Sequence, residues 1–248
     1  MELVRDDIGV SVLTPSGTLP LRWILGVGRN YADHAKEMAA APNALKASGD
    51  AGHPTIFAKS PASAALHEDD IVIPACCMDD ASGGPQVDYE GELAVILGTP
   101  ARDVDEADAL AHVLGYCCAN DVSARWWQKH GAGGQFVRGK SFDTFCPLGP
   151  RVVPASSVAD PQALTLTTRL NGETVQHAST GTMLFTIANA IHRLSQGATL
   201  PAGTVILTGT PSGVGAAKDP PRYLREGDVV EVEITGLGVL RNGVVVEG

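Results

Sequence analysis

The stretch VDYEGELAVIL, residues 87–97, sets the framework for interpreting the rest of the chain. Its residues alternate strictly between two classes, as in a β-strand, whose successive side chains point to opposite faces. One face carries Val87, Tyr89, Gly91, Leu93, Val95 and Leu97. The other face begins with Asp88, Glu90 and Glu92. The stretch therefore predicts a strand with one apolar face and a row of carboxylates on the other.

Glu90 and Glu92 leave the same face of this strand, with backbones about 6.5–7 Å apart. Two negative charges this close repel each other unless a positive charge lies between them. One interpretation is a shared cation, and the other is the polar outer face of a half-exposed strand. The strand by itself leaves both open.

A third carboxylate is expected if a hard cation is bound, because such ions prefer several oxygen ligands. Asp121 follows the apolar strand VLGYCCAN (113–120) and is the candidate. Three carboxylates without Cys or His favour Mg²⁺, Mn²⁺ or Ca²⁺ over zinc. The residue types therefore allow a divalent-cation site formed by Glu90, Glu92 and Asp121.

His34 and Glu37 lie three residues apart in a short helical stretch, Tyr31 to Met38, so they face the same way. A carboxylate beside an imidazole fixes its tautomer and raises its basicity, as a general base for water requires. The alternative is a surface histidine with a helical neighbour, and the spacing alone favours that alternative.

Residues suited to an anionic substrate occur in three later segments. Lys140, in RGKSFDTFCP, could bind a substrate carboxylate or an enolate oxygen, or could face solvent. Arg125 and Gln128 lie three apart after Asp121 and face either one cleft or solvent. The loop TGTPSGVG (208–215) could wrap a carboxylate with backbone N–H groups. It is not a Walker A loop, because no lysine follows at the required spacing.

The remaining patterns predict many short strands and few helices. Asn171-Gly172 is expected to form a two-residue hairpin turn between LTLTTRL and ETVQ, and Asn242-Gly243 a second hairpin turn. Helices are expected at 106–114 and over 183–194, while 39–54 is either a loose connection or a mobile lid. The helices do not alternate with the strands, which favours a mixed β architecture with helices outside.

Composition limits the classes of function. The 248 residues carry a net charge of −10, which argues against nucleic-acid binding. No apolar run reaches the length of a membrane span, and the start MELVRDDIGV lacks the pattern of a signal peptide. The 5 cysteines are odd in number and form no CxxC, which favours buried reduced thiols in a cytoplasmic protein.

Seven stretches, in order, resemble motifs of the fumarylacetoacetate hydrolase family. They are GRNYADHAKEM (28–38), DYEGELAVILG (88–98), NDVSARWWQ (120–128), RGKSFDTFCPLGP (138–150), LNGETVQ (170–176), TGTPSGVG (208–215) and EGDVVEVEITGLGVLRN (226–242). The short bacterial members and the animal fumarylacetoacetate-hydrolase-domain-containing proteins resemble the chain most. The resemblance implies an α+β fold with a mixed β-roll core. The expected organisation is a β-rich lead-in at 1–20 and a catalytic domain at 21–248.

The resemblance also implies a role for individual residues. It places metal ligands at Glu90, Glu92 and Asp121, a water-activating pair at His34 and Glu37, a catalytic lysine at Lys140, and substrate contacts at Arg125, Gln128 and Thr210. The larger fumarylacetoacetases carry a fourth carboxylate ligand seven residues before the histidine. This sequence has Val27 there, so water is expected to take that coordination position.

The activity implied by the resemblance is C–C bond hydrolysis in acylpyruvate or fumarylpyruvate-type 2,4-dioxo acids, by a homodimer with one Mg²⁺, Mn²⁺ or Ca²⁺ per subunit. The substrate chelates the cation through its carboxylate and keto oxygen. His34 activates a water, and the cation and Lys140 stabilise the departing enolate. Without productive water attack, such a site would tautomerise or decarboxylate oxaloacetate or isomerise a hydroxy-dienedioate. A non-catalytic metal-binding protein is the last alternative.

Overall fold

The computed structural model describes residues 1–7, 9–40, 52–78 and 84–248. The segment 39–54, for which the sequence allows a loop or a lid, lies mostly outside this part of the chain. The strands, in chain order, are β1 (Glu2–Asp6), β2 (Gly9–Thr14), β3 (Gly17–Pro20), β4 (Ile24–Gly28), β5 (Thr55–Lys59), β6 (Ala64–Ala65), β7 (Ile71–Ile73), β8 (Val87–Asp88), β9 (Gly91–Leu97), β10 (Val113–Asn120), β11 (Ser123–Ala124), β12 (Cys146–Pro154), β13 (Thr165–Leu170), β14 (Glu173–Ser179), β15 (Val205–Leu207), β16 (Val229–Ile234) and β17 (Gly238–Val246). The helices are α1 (Ala32–Ala40), α2 (Phe136–Lys140) and α3 (Ile187–Ser195).

Two large sheets form the body of the molecule. A seven-stranded sheet has the order β5-β4-β15-β9-β10-β12-β6, and a five-stranded sheet has the order β14-β13-β16-β17-β7. Most neighbours are antiparallel, but β4 with β15, β6 with β12, and β7 with β17 run parallel. A three-stranded antiparallel sheet, β1 to β3, and a small β8–β11 ladder complete the fold. The predicted mixed β architecture with few helices is confirmed.

β9 lies at the centre of the seven-stranded sheet and is buried on both faces. Leu93, Val95 and Leu97 pack towards β13, β16 and α3. On the opposite face, Ala94 and Ile96 pack in a second apolar cluster with β2 and β12. The alternation predicted for this strand is present, but its second face contacts protein rather than solvent.

The N-terminal sheet packs on that second face. Val10 and Val12 of β2 are buried in the same cluster as Ile96. The amino group of Met1 donates a hydrogen bond to the carbonyl of Val152 in β12, at 2.8 Å. The division of the chain into 1–20 and 21–248 stays a prediction.

One hairpin prediction is confirmed and the other is wrong. Asn171 and Gly172 connect β13 to β14 with φ of 53° and 82°, the left-handed values that the favoured two-residue turn requires. Asn242 and Gly243 instead lie inside β17, paired with β16. Asn242 is buried there because its amide donates to the carbonyls of Leu66 and Asp69, at 2.9 and 2.7 Å. The turn itself lies at 235–237.

The helix predicted over 31–38 forms α1, whereas the helices predicted at 106–114 and 183–194 are shorter than their apolar patterns. α3 begins at Ile187, four residues later than predicted, because the Thr186 hydroxyl accepts a hydrogen bond from the backbone of Asn189 at 3.1 Å and caps the helix. The helix predicted at 106–114 is a 3₁₀ helix, Glu106–His112, that leads directly into β10. Tertiary packing and capping, rather than periodicity, set these limits.

Two expectations drawn from composition can be compared with the structure. No helix in the described part of the chain has the length and apolar character needed to cross a membrane. The five cysteines are all free thiols, as the sequence predicts, and four are buried, but the prediction is wrong for Cys76, which is exposed. A cytoplasmic location stays a prediction.

Candidate active site

The three carboxylates converge because β9 and β10 are neighbours in the sheet. Gly91 pairs with Asn120, which places Glu90 and Asp121 side by side at the strand ends. The backbone N–H of Asp121 donates to the carbonyl of Glu90 at 2.8 Å. Glu90, Glu92 and Asp121 are all buried, and one carboxylate oxygen from each lies within 4.8 Å of the others. The solvated strand face that the sequence left open is therefore excluded.

Two of these carboxylates are neutralised by buried cations. Lys140 Nζ donates to Glu90 Oε2 at 2.9 Å and also to Asp121 Oδ2. Lys59 Nζ donates to Asp121 Oδ1 at 2.5 Å, and Arg125 Nη1 lies 2.6 Å from Glu90 Oε1. Burial alone would raise the pKa of Glu90, but Lys140 and Arg125 outweigh it and hold this pKa well below its ordinary range.

Glu92 lacks such a partner. Its carboxylate accepts a hydrogen bond from the backbone N–H of Gly209 at 2.6 Å, and no lysine or arginine in the described part of the chain pairs with it. Burial, together with the charges of Asp121 and Glu90, raises the pKa of Glu92 well above its ordinary range. A cation from outside the chain would supply the missing charge. Three carboxylates suit a hard divalent cation, so the residues fit the predicted metal site.

The His34–Glu37 pair has the geometry that the sequence suggests. Its Nδ1 and Oε2 atoms are 3.3 Å apart within α1. His34 is buried, and the backbone N–H of Gly213 holds the Glu37 carboxylate at 2.9 Å. The alternative of an exposed histidine is excluded. His34 lines the same cleft as Glu90 and Glu92, whereas its role as a base stays a prediction.

Arg125 is anchored by Asp88, a residue that the sequence placed only on the polar face of a strand. Arg125 Nε donates to Asp88 Oδ2 at 2.9 Å, and Nη2 lies 2.7 Å from the same oxygen. Arg125 Nη1 donates to the side-chain oxygen of Gln128 at 3.2 Å, so both face one cleft. Burial alone would lower the pKa of Arg125, but Glu90 and Asp88 outweigh it and raise this pKa.

The loop that follows β15 binds carboxylates with its backbone N–H groups, as the sequence allows, but they are carboxylates of the protein itself. The pairs are Gly209 with Glu92, Gly213 with Glu37, and Gly215 and Ala216 with Asp88, at 2.6–2.9 Å. Only glycine fits at position 215, because a Cβ there would lie 2.0 Å from the carbonyl oxygen of Arg222. One loop thus holds a triad carboxylate, the partner of His34 and the partner of Arg125.

Thr210 also lines the cleft, but its hydroxyl already has partners. It donates to the carbonyl of Gly91 at 2.9 Å and accepts from the amide of Gln176 at 2.7 Å. The hydroxyl therefore holds the start of β9 in place. A contact of Thr210 with substrate stays a prediction.

The predicted residues meet at one cleft, which encloses about 560 Å³ of space, part of it open to solvent. Those that line it are His34, Glu90, Glu92, Arg125, Gln128, Lys140 and Thr210. Glu37 and Asp121 contribute through their contacts with His34 and Lys140. Val27, where larger enzymes have a fourth ligand, lies in the wall of the same cleft.

Two lysines of this region were missed from the sequence. Lys59 is buried in β5, where Phe57 and Lys59 share the inward face. A lysine at an inward position of a strand was the available signal, because a buried lysine needs an anionic partner. Lys129 lines the cleft next to Gln128, and its position in a short polar helix gave no signal.

A curled mixed sheet that carries buried carboxylates next to a histidine–glutamate pair is an arrangement suited to enzyme chemistry on small acids. The family comparison agrees with this class. Residues 23–245 match the family model described as "Fumarylacetoacetate (FAA) hydrolase C-terminal". The chain therefore belongs to the fumarylacetoacetate hydrolase family, and the resemblance drawn from its motifs is confirmed.

Known relatives agree in fold and differ in activity. The chain is 42% identical over 223 residues to "Oxaloacetate tautomerase YisK" of Bacillus subtilis (strain 168), covering 90% of this chain and 69% of that protein. A fumarylacetoacetate hydrolase structure from Exiguobacterium antarcticum matches with 43% identity and a TM-score of 0.78, over 98% of this chain and 80% of that chain. A 2-hydroxyhepta-2,4-diene-1,7-dioate isomerase structure from Mycobacterium marinum matches with 36% identity and a TM-score of 0.74, over 94% and 79%.

Proposed function

We propose that this protein interconverts the keto and enol forms of oxaloacetate, or of a similar 2-oxo dicarboxylic acid, with a divalent cation bound by Glu90, Glu92 and Asp121. The observation that carries this proposal is the buried triad, in which Glu92 has no cationic partner among the described residues. The names of two relatives, an oxaloacetate tautomerase and a hydroxyheptadienedioate isomerase, support isomerisation over the C–C hydrolysis that the motifs favour.

A divalent cation held by Glu90, Glu92 and Asp121 would supply Lewis-acid stabilisation for a 2-oxo acid whose carboxylate and keto group face the triad. His34, oriented by Glu37, takes a proton from the carbon next to the keto group. The C–H electron pair becomes the C=C bond, and the keto oxygen takes the negative charge. The imidazolium then gives the proton to that oxygen, so the overall reaction gains and loses no proton.

Lys140 contributes through its charge. Burial alone would lower its pKa, but the carboxylates of Asp121 and Glu90 outweigh it and raise this pKa, so the residue stays an ammonium. Its N–H groups point at Glu90, Asp121 and the hydroxyl of Ser123. A fixed ammonium beside the triad stabilises negative charge that develops on the keto oxygen.

C–C hydrolysis of acylpyruvates is the second candidate, and the His34–Glu37 pair favours it. The Gly213 backbone fixes Glu37, which prepares the imidazole to activate a water as well as to deprotonate carbon. Decarboxylation of oxaloacetate on the same site needs no base. The three reactions therefore differ in how far they depend on His34.

The experiment is to assay the wild type and His34→Ala with saturating Mg²⁺ on oxaloacetate and on an acylpyruvate. We expect Mg²⁺-dependent tautomerisation by the wild type and a loss of about 10²–10⁴-fold in His34→Ala, the usual contribution of a general base. Decarboxylation should fall much less. Mg²⁺ binding should be unchanged, because no imidazole is among the proposed ligands.

His112→Ala, whose imidazole contacts Thr99 at the surface away from the cleft, is the matched control. If the wild type cleaves the acylpyruvate but does not accelerate the tautomerisation of oxaloacetate, the proposed tautomerase activity is wrong and hydrolysis takes its place. A His34→Ala enzyme with the wild-type rate on both substrates would remove His34 from the mechanism.

A further inference from the structure

Lys129 is a cation in the wall of the cleft that the proposed chemistry does not use. It lies in the helical turn Trp127–Gly131, directly after Gln128, and is half-buried. Across the described residues, no hydrogen bond or ion pair joins its ammonium group to another side chain or to the backbone. Partial burial and the like charge of Arg125 lower the pKa of Lys129 and outweigh the opposite effect of Asp88, whose carboxylate is already paired with Arg125.

The buried cations beside the triad, in contrast, already have anionic partners. The pairs are Lys59 with Asp121, Lys140 with Asp121 and Glu90, and Arg125 with Asp88 and Glu90. Arg29, which also lines the cleft, has an interaction within the protein. Among the described residues, Lys129 is therefore the cation available to pair with an additional anion in this cleft.

The net charge around the triad indicates how many substrate carboxylates can be bound there. With a cation bound and the triad ionised, Glu90, Glu92, Asp121 and Asp88 would carry four negative charges, against three positive charges on Lys59, Lys140 and Arg125. A divalent cation would leave one net positive charge at this end, enough for one carboxylate. A second carboxylate needs a further cation, and Lys129 can supply it.

The surroundings would strengthen such a contact. The rings of Phe57 and Phe136 line the same cleft as Lys129 and pack edge to face, with centroids 5.8 Å apart. Aromatic rings lower the local dielectric constant and displace water, so a carboxylate beside Lys129 would interact more strongly than at an open surface.

We propose that Lys129 binds the second carboxylate of a dicarboxylic 2-oxo acid and so selects dicarboxylates over monocarboxylates. The inference rests on the proposed function only in placing the first carboxylate and the keto oxygen of the substrate at the triad. It makes Lys129 a specificity-determining residue, separate from the groups that move protons.

The test compares two ligands of equal length in the presence of saturating Mg²⁺, 2-oxoglutarate and 2-oxopentanoate, which differ by a distal carboxylate in place of a methyl group. Binding is measured by calorimetry, so no turnover is needed. The wild type should prefer 2-oxoglutarate. Lys129→Met should weaken 2-oxoglutarate binding by about 10- to 100-fold, the size of a charge-assisted hydrogen bond, and leave 2-oxopentanoate within about twofold. Lys129→Arg should keep most of the preference.

Lys218→Met, an exposed lysine outside this cleft, should bind both ligands as the wild type does. Equal weakening of both ligands in Lys129→Met would place the effect at the 2-oxo acid end and overturn the inference. An unchanged preference in Lys129→Met, or a wild type without preference, would overturn it as well. A wild type that shows the Lys129-dependent preference but does not tautomerise oxaloacetate would refute the proposed reaction and leave the inference standing.

Discussion

Glu92 differs from the other two carboxylates of the triad in what surrounds it. Glu90 and Asp121 each contact buried cations, while, among the described residues, the Glu92 carboxylate accepts one hydrogen bond, from the backbone N–H of Gly209. Its charge is therefore the least compensated by the protein. We expect a bound cation to stabilise Glu92 more than the other two residues.

Glu92→Gln should weaken Mg²⁺ binding by about 10-fold or more, equivalent to 1.4 kcal/mol or more, and abolish turnover. Without metal the free energy of unfolding should be unchanged or higher, because the variant removes repulsion from Asp121 and Glu90 and its amide oxygen can still accept from Gly209. Calorimetric Mg²⁺ titration and urea denaturation measure the two effects.

Glu226→Gln, at an exposed position, is the control for Glu92→Gln and should change neither quantity. A Glu92→Gln protein that keeps both its Mg²⁺ affinity and its activity would remove Glu92 from the metal site.

At the scale of elements, the loop after β15 joins parts of the site that come from different strands and helices. Its backbone reaches β9 through Glu92, α1 through Glu37 and β8 through Asp88. The close approach to Asp88 requires glycine at position 215, where a Cβ would lie 2.6 Å from Asp88 Oδ1. A small change in this loop should therefore disturb several functional groups together.

Gly215→Ala should reduce the free energy of unfolding by about 1–3 kcal/mol, as overpacking of a close contact does, and should also weaken substrate binding by displacing Arg125. Gly52→Ala is the matched control, because a Cβ at position 52 would have no atom of the described part of the chain within 4 Å. Urea denaturation and KM for oxaloacetate are the measurements. If the free energy of unfolding and the KM of Gly215→Ala equal those of the wild type, the loop tolerates the added methyl group and the prediction is wrong.

Asp228 connects the β13–β14 hairpin to the chain before β16. Its carboxylate accepts hydrogen bonds from the Asn171 amide at 2.8 Å, from Arg222 at 2.7 Å and from the Arg225 backbone at 2.8 Å. Burial alone would raise the pKa of Asp228, but the hydrogen bonds from Arg222 and Asn171 outweigh it and lower this pKa.

A lowered pKa in the folded state makes Asp228 stabilising above the ordinary aspartate pKa of about 3.9, and this contribution is lost as the pH falls through the folded pKa. The difference in unfolding free energy between wild type and Asp228→Asn should therefore be largest near neutral pH and shrink below about pH 4. Urea denaturation at both pH values checks this. A difference that stays constant with pH would contradict it.

The two Asn-Gly pairs show what local sequence could and could not predict. Asn171-Gly172 forms its turn because strands of suitable length flank it. Within the described ranges, the Asn171 side chain bonds only to the Asp228 carboxylate and the backbone N–H of Val229. Asn242 has a second option, since Leu66 and Asp69 present carbonyls to its amide. These carbonyls belong to a segment more than 170 residues away in the sequence. The residues next to Asn242 could therefore not predict this contact.

At the scale of the whole molecule, the site combines segments far apart in the chain. The sequence identified the residue types of the triad and of the His34–Glu37 pair, because each group lies within short or motif-bearing segments. It did not identify the partners Lys59 and Asp88. Lys59 meets Asp121 only because β5 folds against the end of β10, and Asp88 meets Arg125 only because β8 pairs with β11. The homodimer that the family resemblance implies stays a prediction.

Mg²⁺ should stabilise the entire fold, because it would bind the folded triad and not the unfolded chain. At a concentration about 100-fold above Kd the gain is about 2.7 kcal/mol, or about 5–10 °C in Tm for a chain of this size. Thermal unfolding with Mg²⁺ and with a chelator measures it. Glu92→Gln should lose the shift, and a wild type with the same Tm under both conditions would argue against a metal in the triad.

The loop after β15 also suggests how this scaffold could be redesigned. A substitution changes a side chain but leaves the backbone amide in place. The positions of the carboxylates that the loop amides bind should therefore be insensitive to most substitutions outside the loop. Other residues that line the cleft lie outside this loop, among them Phe57, Lys129 and Phe136. A library randomised at those three positions should therefore yield enzymes with new substrate ranges that still share one reaction.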